Sequence, residues 1–125
     1  METKKAIKDI LKPETGLKVN GSLWIEAGGQ HFFGPGPVEL LERIAVTGSI
    51  NEAAKEMKMS YKKAWELVSK LNDHCAGPIV VPRTGGEKGG GSTLTDAAIE
   101  LISYHRAMRQ RFAAFLAEET KNLKS

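Results

Sequence analysis

One cysteine, Cys75, excludes an internal disulfide from this chain of 125 residues. A lone thiol fits a reducing cytoplasm and is expected as a small, partly buried side chain. There is no Cys-x-x-Cys and no His-Glu-x-x-His, and the three histidines, His31, His74 and His105, are scattered, so no metal-ligand spacing is present. No apolar run is long enough to span a bilayer, and no secretory signal precedes residue 21. Glu2 and Asp9 argue against a transit peptide. The charged, amphipathic start reads instead as a short surface helix with Ile7, Ile10 and Leu11 docked inward. Aromatics are only 6% of the residues, yet 41% are hydrophobic, which excludes disorder and suits one domain with a real core. The expectation is a cytoplasmic protein with no metal, no cofactor and no membrane association.

Catalysis finds no support. Asp73-His74-Cys75 invites a nucleophile reading, but adjacent residues at a helix end do not converge on one point. Lys88-Gly89-Gly90-Gly91-Ser92-Thr93 resembles a phosphate loop superficially. The Walker pattern needs Gly-Lys-Ser/Thr in succession, and no Lys precedes Ser92. The chain is therefore not expected to be an enzyme.

The most informative stretch is 48–72, which encodes a short helix, a tight turn and a second helix. Ser49 caps the first, and Glu52 three residues later fits a capping box. Ala53 and Ala54 allow another helix to approach closely. Lys58 sits at the turn where glycine is common, an uncomfortable place if φ is positive. Ser60 is a good cap for the second helix. There Ala64, Val68 and Leu71 form one buried stripe, leaving Ser60, Tyr61, Lys62, Glu66, Ser69 and Lys70 off it. A helix-turn-helix places such a second helix in the DNA major groove; an ordinary two-helix hairpin is the competing reading. Gly77-Pro78 then ends the helix, Ile79-Val80-Val81 reads as a strand, and Thr93-Leu94 as its return. The glycine-rich loop between them can lie against phosphates without obstruction, as a winged-helix domain requires.

Charge points the same way. The net charge is only +3, but residues 55–88 carry seven Lys or Arg against four acids, a net +3 in that window alone. Phosphate contacts supply most non-specific affinity for DNA, so the excess lies where it is needed.

Residues 21–120 resemble the N-terminal DNA-binding domain of the molybdate-responsive ModE regulators. The resemblance rests on Gly21-Ser22-Leu23-Trp24-Ile25-Glu26, Gly48-Ser49-Ile50, Ala53-Ala54, Met59-Ser60-Tyr61-Lys62, Ala64-Trp65, Thr84-Gly85-Gly86, Lys88-Gly89-Gly90-Gly91 and Leu94-Thr95. The helix-turn-helix is similar to that of LysR-type regulators. The resemblance implies a winged helix, homodimerisation through a long helix and a two-fold operator. Full regulators of this family carry C-terminal molybdate-binding domains. This sequence ends at Ser125 without them, so molybdate binding is not carried over.

The remaining chain frames this motif. Leu17–Asn20 and Ser22–Glu26 read as strand, Gly28-Gly29 as a turn and His31-Phe32-Phe33 as the return strand. Pro35-Gly36-Pro37 reads as a loop, with Pro37 in the first turn of a support helix whose apolar side is Val38, Leu40, Leu41, Ile44 and Ala45. Trp24, Phe32 and Phe33 are expected in the core or in hairpin packing. Thr95 caps a C-terminal helix running from Asp96 to about Glu119. Its stripe, Ala98, Leu101, Ile102, His105, Met108, Phe112, Phe115 and Leu116, extends beyond one small domain, which calls for a second copy; packing on the chain's own N-terminal segment is the alternative.

The expected architecture is mainly α with small β (α+β), a winged helix-turn-helix with an N-terminal hairpin and a long C-terminal dimerisation helix. Residues 1–94 form the DNA-binding region and 95–125 the dimerisation helix, within one structural domain. The expected function is a sequence-specific transcription regulator that binds double-stranded DNA as a homodimer, through recognition helix 60–72 and wing 83–93. The candidate DNA-binding residues are Ser49, Ser60, Tyr61, Lys62, Lys63, Trp65, Ser69, Arg83, Thr84, Gly85, Gly86, Lys88 and Gly89. The candidate dimer residues are Leu101, Ile102, His105, Met108, Phe112, Phe115 and Leu116. A winged-helix module for protein contact, and an oxyanion sensor or enzyme using the glycine loop, stay open as alternatives.

Overall fold

Gly28 and Gly29, both at positive φ, make the tight turn of the first hairpin in the computed structural model, which describes residues 5–83 and 91–124. Positive φ at both central residues matches the right-handed twist of the flanking strands. Strand β1 (Ile25–Ala27) pairs antiparallel with β2 (Gln30–Phe33). The register shifts between Ile25 and Glu26, which leaves Phe32 without an opposite residue. Helix α2 (Pro35–Thr47) follows directly, so Pro35 takes the first helical position and the expected loop at 35–37 is already helix. Helices α3 (Ile50–Glu56) and α4 (Tyr61–His74), the hairpin of β3 (Val80–Arg83) and β4 (Gly91–Leu94), and α5 (Asp96–Asn122) complete the order. The fold is α+β, with two small antiparallel hairpins and a long C-terminal helix, as read from the sequence.

Two compact units are formed: residues 24–105, and residues 1–23 with 106–125. The core of the first contains Phe33, Leu40, Leu41, Ile44, Ala53, Ala54, Ala64, Val68, Leu71, Ile79, Val80, Ala98 and Ile102. Helix α2 contributes Leu40, Leu41 and Ile44; Ala45, expected with them, is exposed because it falls past the edge of that stripe. Helix α5 adds Ala98, Ile102 and His105. His105 is 1% exposed, with its ring edge-on to Phe33 at 5.4 Å.

The other unit departs further from expectation. Helix α1 is a single turn, Ile7–Ile10, and Ile7, Ile10 and Leu11 are exposed rather than docked. A four-residue helix has one turn of hydrogen bonding and too little surface to bury. Leu17–Asn20, expected as strand, pairs with no strand among the described residues. Instead the Val19 amide donates to Thr120 Oγ1 at 2.8 Å, on the second half of α5. Gly21 lies beneath the Phe112 ring, where a Cβ would come within 3.2 Å of Cζ. Leu17 and Val19 line a groove with Leu116 and Ala117. No described helix is long and apolar enough to cross a membrane.

Candidate nucleic-acid interface

Local capping fixes the two helices of the central motif. Ser49 Oγ accepts from the Glu52 amide at 3.1 Å and Ser60 Oγ from the Lys63 amide at 3.1 Å. The capping box is only half made, because the Ser49 amide donates to Thr47 Oγ1 rather than to Glu52. Between the helices, the Met59 amide donates to Ala54 O and the Lys58 amide to Lys55 O. That double closure needs a left-handed residue at its centre. Lys58 supplies it at φ 56°, the positive-φ non-glycine residue among those described.

The short turn brings Ala53 and Ala54 of α3 and Ala64 of α4 into the core, fully or almost fully buried. With Ala64, Val68 and Leu71 facing inward, the rest of α4 is sorted by helical geometry. Lys62, Glu66, Ser69 and Asp73 lie opposite the buried stripe. Tyr61 and Trp65 stand on one flank, 52% and 53% exposed. Lys63 and Lys70 stand on the other. Among the described residues Lys62 and Lys63 form no ion pair, so their charge is available to an anion. Lys70 is committed elsewhere: its ammonium donates to His31 O on β2 at 3.0 Å. Arg43 is also committed. Hydrogen bonds to Glu56 and then Glu39, each at 2.9 Å, hold its guanidinium above its usual pKa.

Three contacts position the second hairpin beside α4, and the sequence did not reveal them. Asn72 Oδ1 accepts from the amides of Ile79 at 2.8 Å and Val80 at 3.2 Å, and Asn72 Nδ2 donates to Val80 O. At the far end of β4, the Ser92 amide donates to Gly48 O at 2.9 Å. The Arg83 guanidinium lies against Gly48, whose Cβ would sit 2.8 Å from its Nη1. A Cβ on Gly91 would collide with the Gly48 carbonyl oxygen. An asparagine near a helix end and a glycine in a strand carry no local signature of these partners. Thr95 is different: its hydroxyl both caps α5 at the Ala98 amide and donates to Pro78 O.

Of the candidate contact residues, Ser60, Tyr61, Lys62, Lys63 and Trp65 are exposed on α4 and its cap, and Ser49 and Ser69 are half-buried. Arg83 is exposed at the end of β3. Thr84, Gly85, Gly86, Lys88 and Gly89 lie outside the described residues. The candidate dimer residues separate. Ile102 and His105 are buried within the chain's own first unit, 7% and 1% exposed. The periodicity that marked them records burial and does not say against what. Leu101, Met108, Phe112 and Leu116 are half-buried, and Phe115 is 57% exposed. Cys75 is half-buried as expected, and burial pushes its thiol pKa up.

No family model matches the chain. It is 42% identical over 86 residues to the molybdenum-pterin-binding protein MopB of Rhodobacter capsulatus, a match covering 69% of this chain and 32% of MopB. It is 44% identical over 77 residues to the molybdenum transport protein ModE of Herbaspirillum seropedicae, covering 62% of this chain and 29% of that protein. To the DNA-binding transcriptional dual regulator ModE of Escherichia coli it is 37% identical over 79 residues, covering 63% of this chain and 30% of the relative. The chain thus spans about a third of the length of these curated relatives. They are named for transcription regulation, molybdenum transport or molybdenum-pterin binding, and none for catalysis.

Proposed function

We propose that this chain is the DNA-binding part of a ModE-type transcription regulator, a winged helix-turn-helix that reads duplex DNA through α4. The carrying observation is the outer face of α4. It bears Lys62 and Lys63 without ion pairs among the described residues, and two exposed rings, at the end of the helix that Ser60 caps. A helix presenting its first turns to the major groove offers base edges these side chains, while cations beside it neutralise phosphates. The hairpin of β3 and β4, held to α4 by Asn72, would supply the wing, with Arg83 at the loop end of β3. Binding as a homodimer to a two-fold operator belongs to the same reading and draws on the exposed Phe115 of α5.

Selection of bound sequences from random duplex DNA tests this directly. A single enriched motif is expected. Lys62→Ala should then weaken binding to it by about 1–3 kcal/mol and relax sequence preference. Absence of any enriched motif, or an unchanged Lys62→Ala affinity in a folded variant, contradicts the assignment.

A further inference from the structure

We infer that the Tyr61–Trp65 flank of α4 reads the 5-methyl group of thymine in the bound duplex. The inference rests on the proposed DNA-binding role of α4 and adds the chemistry by which the helix discriminates. Tyr61 and Trp65 are four residues apart and so form one continuous edge. Each leaves about half its surface exposed, and neither ring stacks on another described ring. Trp24, by contrast, is stacked on His31 at 4.1 Å. Two large rings side by side on the face proposed to meet DNA need an apolar counterpart.

A paired duplex offers few. Base faces are stacked on one another, so an inserted helix meets base edges only. In the major groove those edges are hydrogen-bond donors and acceptors, apart from the thymine methyl and the smaller cytosine C5–H. That methyl projects from the pyrimidine toward the backbone of its own strand, at the side of the groove. A ring on the flank of the helix meets the side of the groove, whereas Lys62, Glu66 and Ser69 on the central line meet its floor. The helix therefore divides its contacts: polar side chains in the middle, Lys63 toward one wall, and rings toward methyls at the other.

The test replaces each thymine of the selected duplex, one at a time, with deoxyuridine, which pairs identically and lacks only the methyl. Wild-type protein should lose about four-fold in affinity at one or two positions, the worth of one buried methyl group. Trp65→Ala and Tyr61→Ala should each weaken binding to the thymine duplex. At least one of them should no longer distinguish it from the matching deoxyuridine duplex, as a coupled pair requires. Wild-type affinity unchanged at every deoxyuridine position overturns the inference while leaving specific DNA binding intact. So does a methyl effect of the same size in both variants. Full binding by Trp65→Ala also overturns it. If no duplex is selected at all, the DNA-binding reading falls first and takes this one with it.

Discussion

Lys58 is the clearest local conflict in the chain. Its φ of 56° is one that a side chain with a Cβ occupies at a cost of about 1–2 kcal/mol. The surrounding hydrogen bonds, Met59 to Ala54 and Lys58 to Lys55, hold it there. Lys58→Gly should therefore raise stability by up to about 1 kcal/mol, after the extra chain entropy of glycine is subtracted. Denaturant unfolding measures this, and a destabilised variant contradicts the strain argument. Lys58 was legible in the sequence as a turn residue in the wrong chemistry, because the signal is local. The thiol of Cys75 makes a second residue-scale case. Burial raises its pKa, so it holds its proton to higher pH than an exposed cysteine. Alkylation at pH 8 should accordingly run slower on the folded protein than on the urea-unfolded chain, since the thiolate is the nucleophile.

At the scale of elements, the second hairpin depends on side chains outside it. Asn72 satisfies the backbone amides of Ile79, just before β3, and of Val80, its first residue, together with the Val80 carbonyl. Asn72→Leu should leave those amides without their partner and cost about 1–3 kcal/mol, with a loss of amide protection at Ile79 and Val80 seen by hydrogen exchange. Gly91→Ala should disturb the other end, because the new methyl meets the Gly48 carbonyl, which is already an acceptor for Ser92. The contrast with what was readable is instructive. Caps at Ser49, Ser60 and Thr95 connect residues three apart, and each lies where its residue type indicated. The links from Lys70 to His31 and from Arg83 to Gly48 span dozens of residues and leave no periodic trace. Leu17–Asn20 failed for the same reason: its apolar–polar alternation was real, but the Val19 amide bonds to a helix hydroxyl.

For the whole molecule, the proposed association turns on α5. At 27 residues it is about 40 Å long. Its buried residues, Ala98, Ile102 and His105, all fall in the first half. In the second half Phe112 packs on Gly21 and Phe115 is exposed. Phe115→Asp is therefore the variant that probes the proposed homodimer. If two copies meet there, a charge left unpaired at the seam should cost several kcal/mol. Sedimentation should then give a monomer with weakened operator binding. A two-fold dimer would set half-sites roughly 34–36 Å apart. A wild type that is monomeric at micromolar concentration and binds one half-site tightly contradicts the dimer. The sequence alone could not separate Phe115 from His105, because both fall on one apolar stripe and only tertiary packing tells which neighbour covers each.

The Asn72 clasp has an evolutionary corollary. Because the side chain grips Ile79 and Val80 directly, the strand is registered to α4 by that grip and not by the length of chain from Cys75 to Pro78. That connection is free to drift. A glycine inserted between Gly77 and Pro78 should bulge outward and leave both hairpin and helix in place, whereas the same insertion between Leu71 and Asn72 would turn the carboxamide about 100° around α4, away from its amides. Length variation among descendants of this chain should thus collect after His74 and be purged before Asn72.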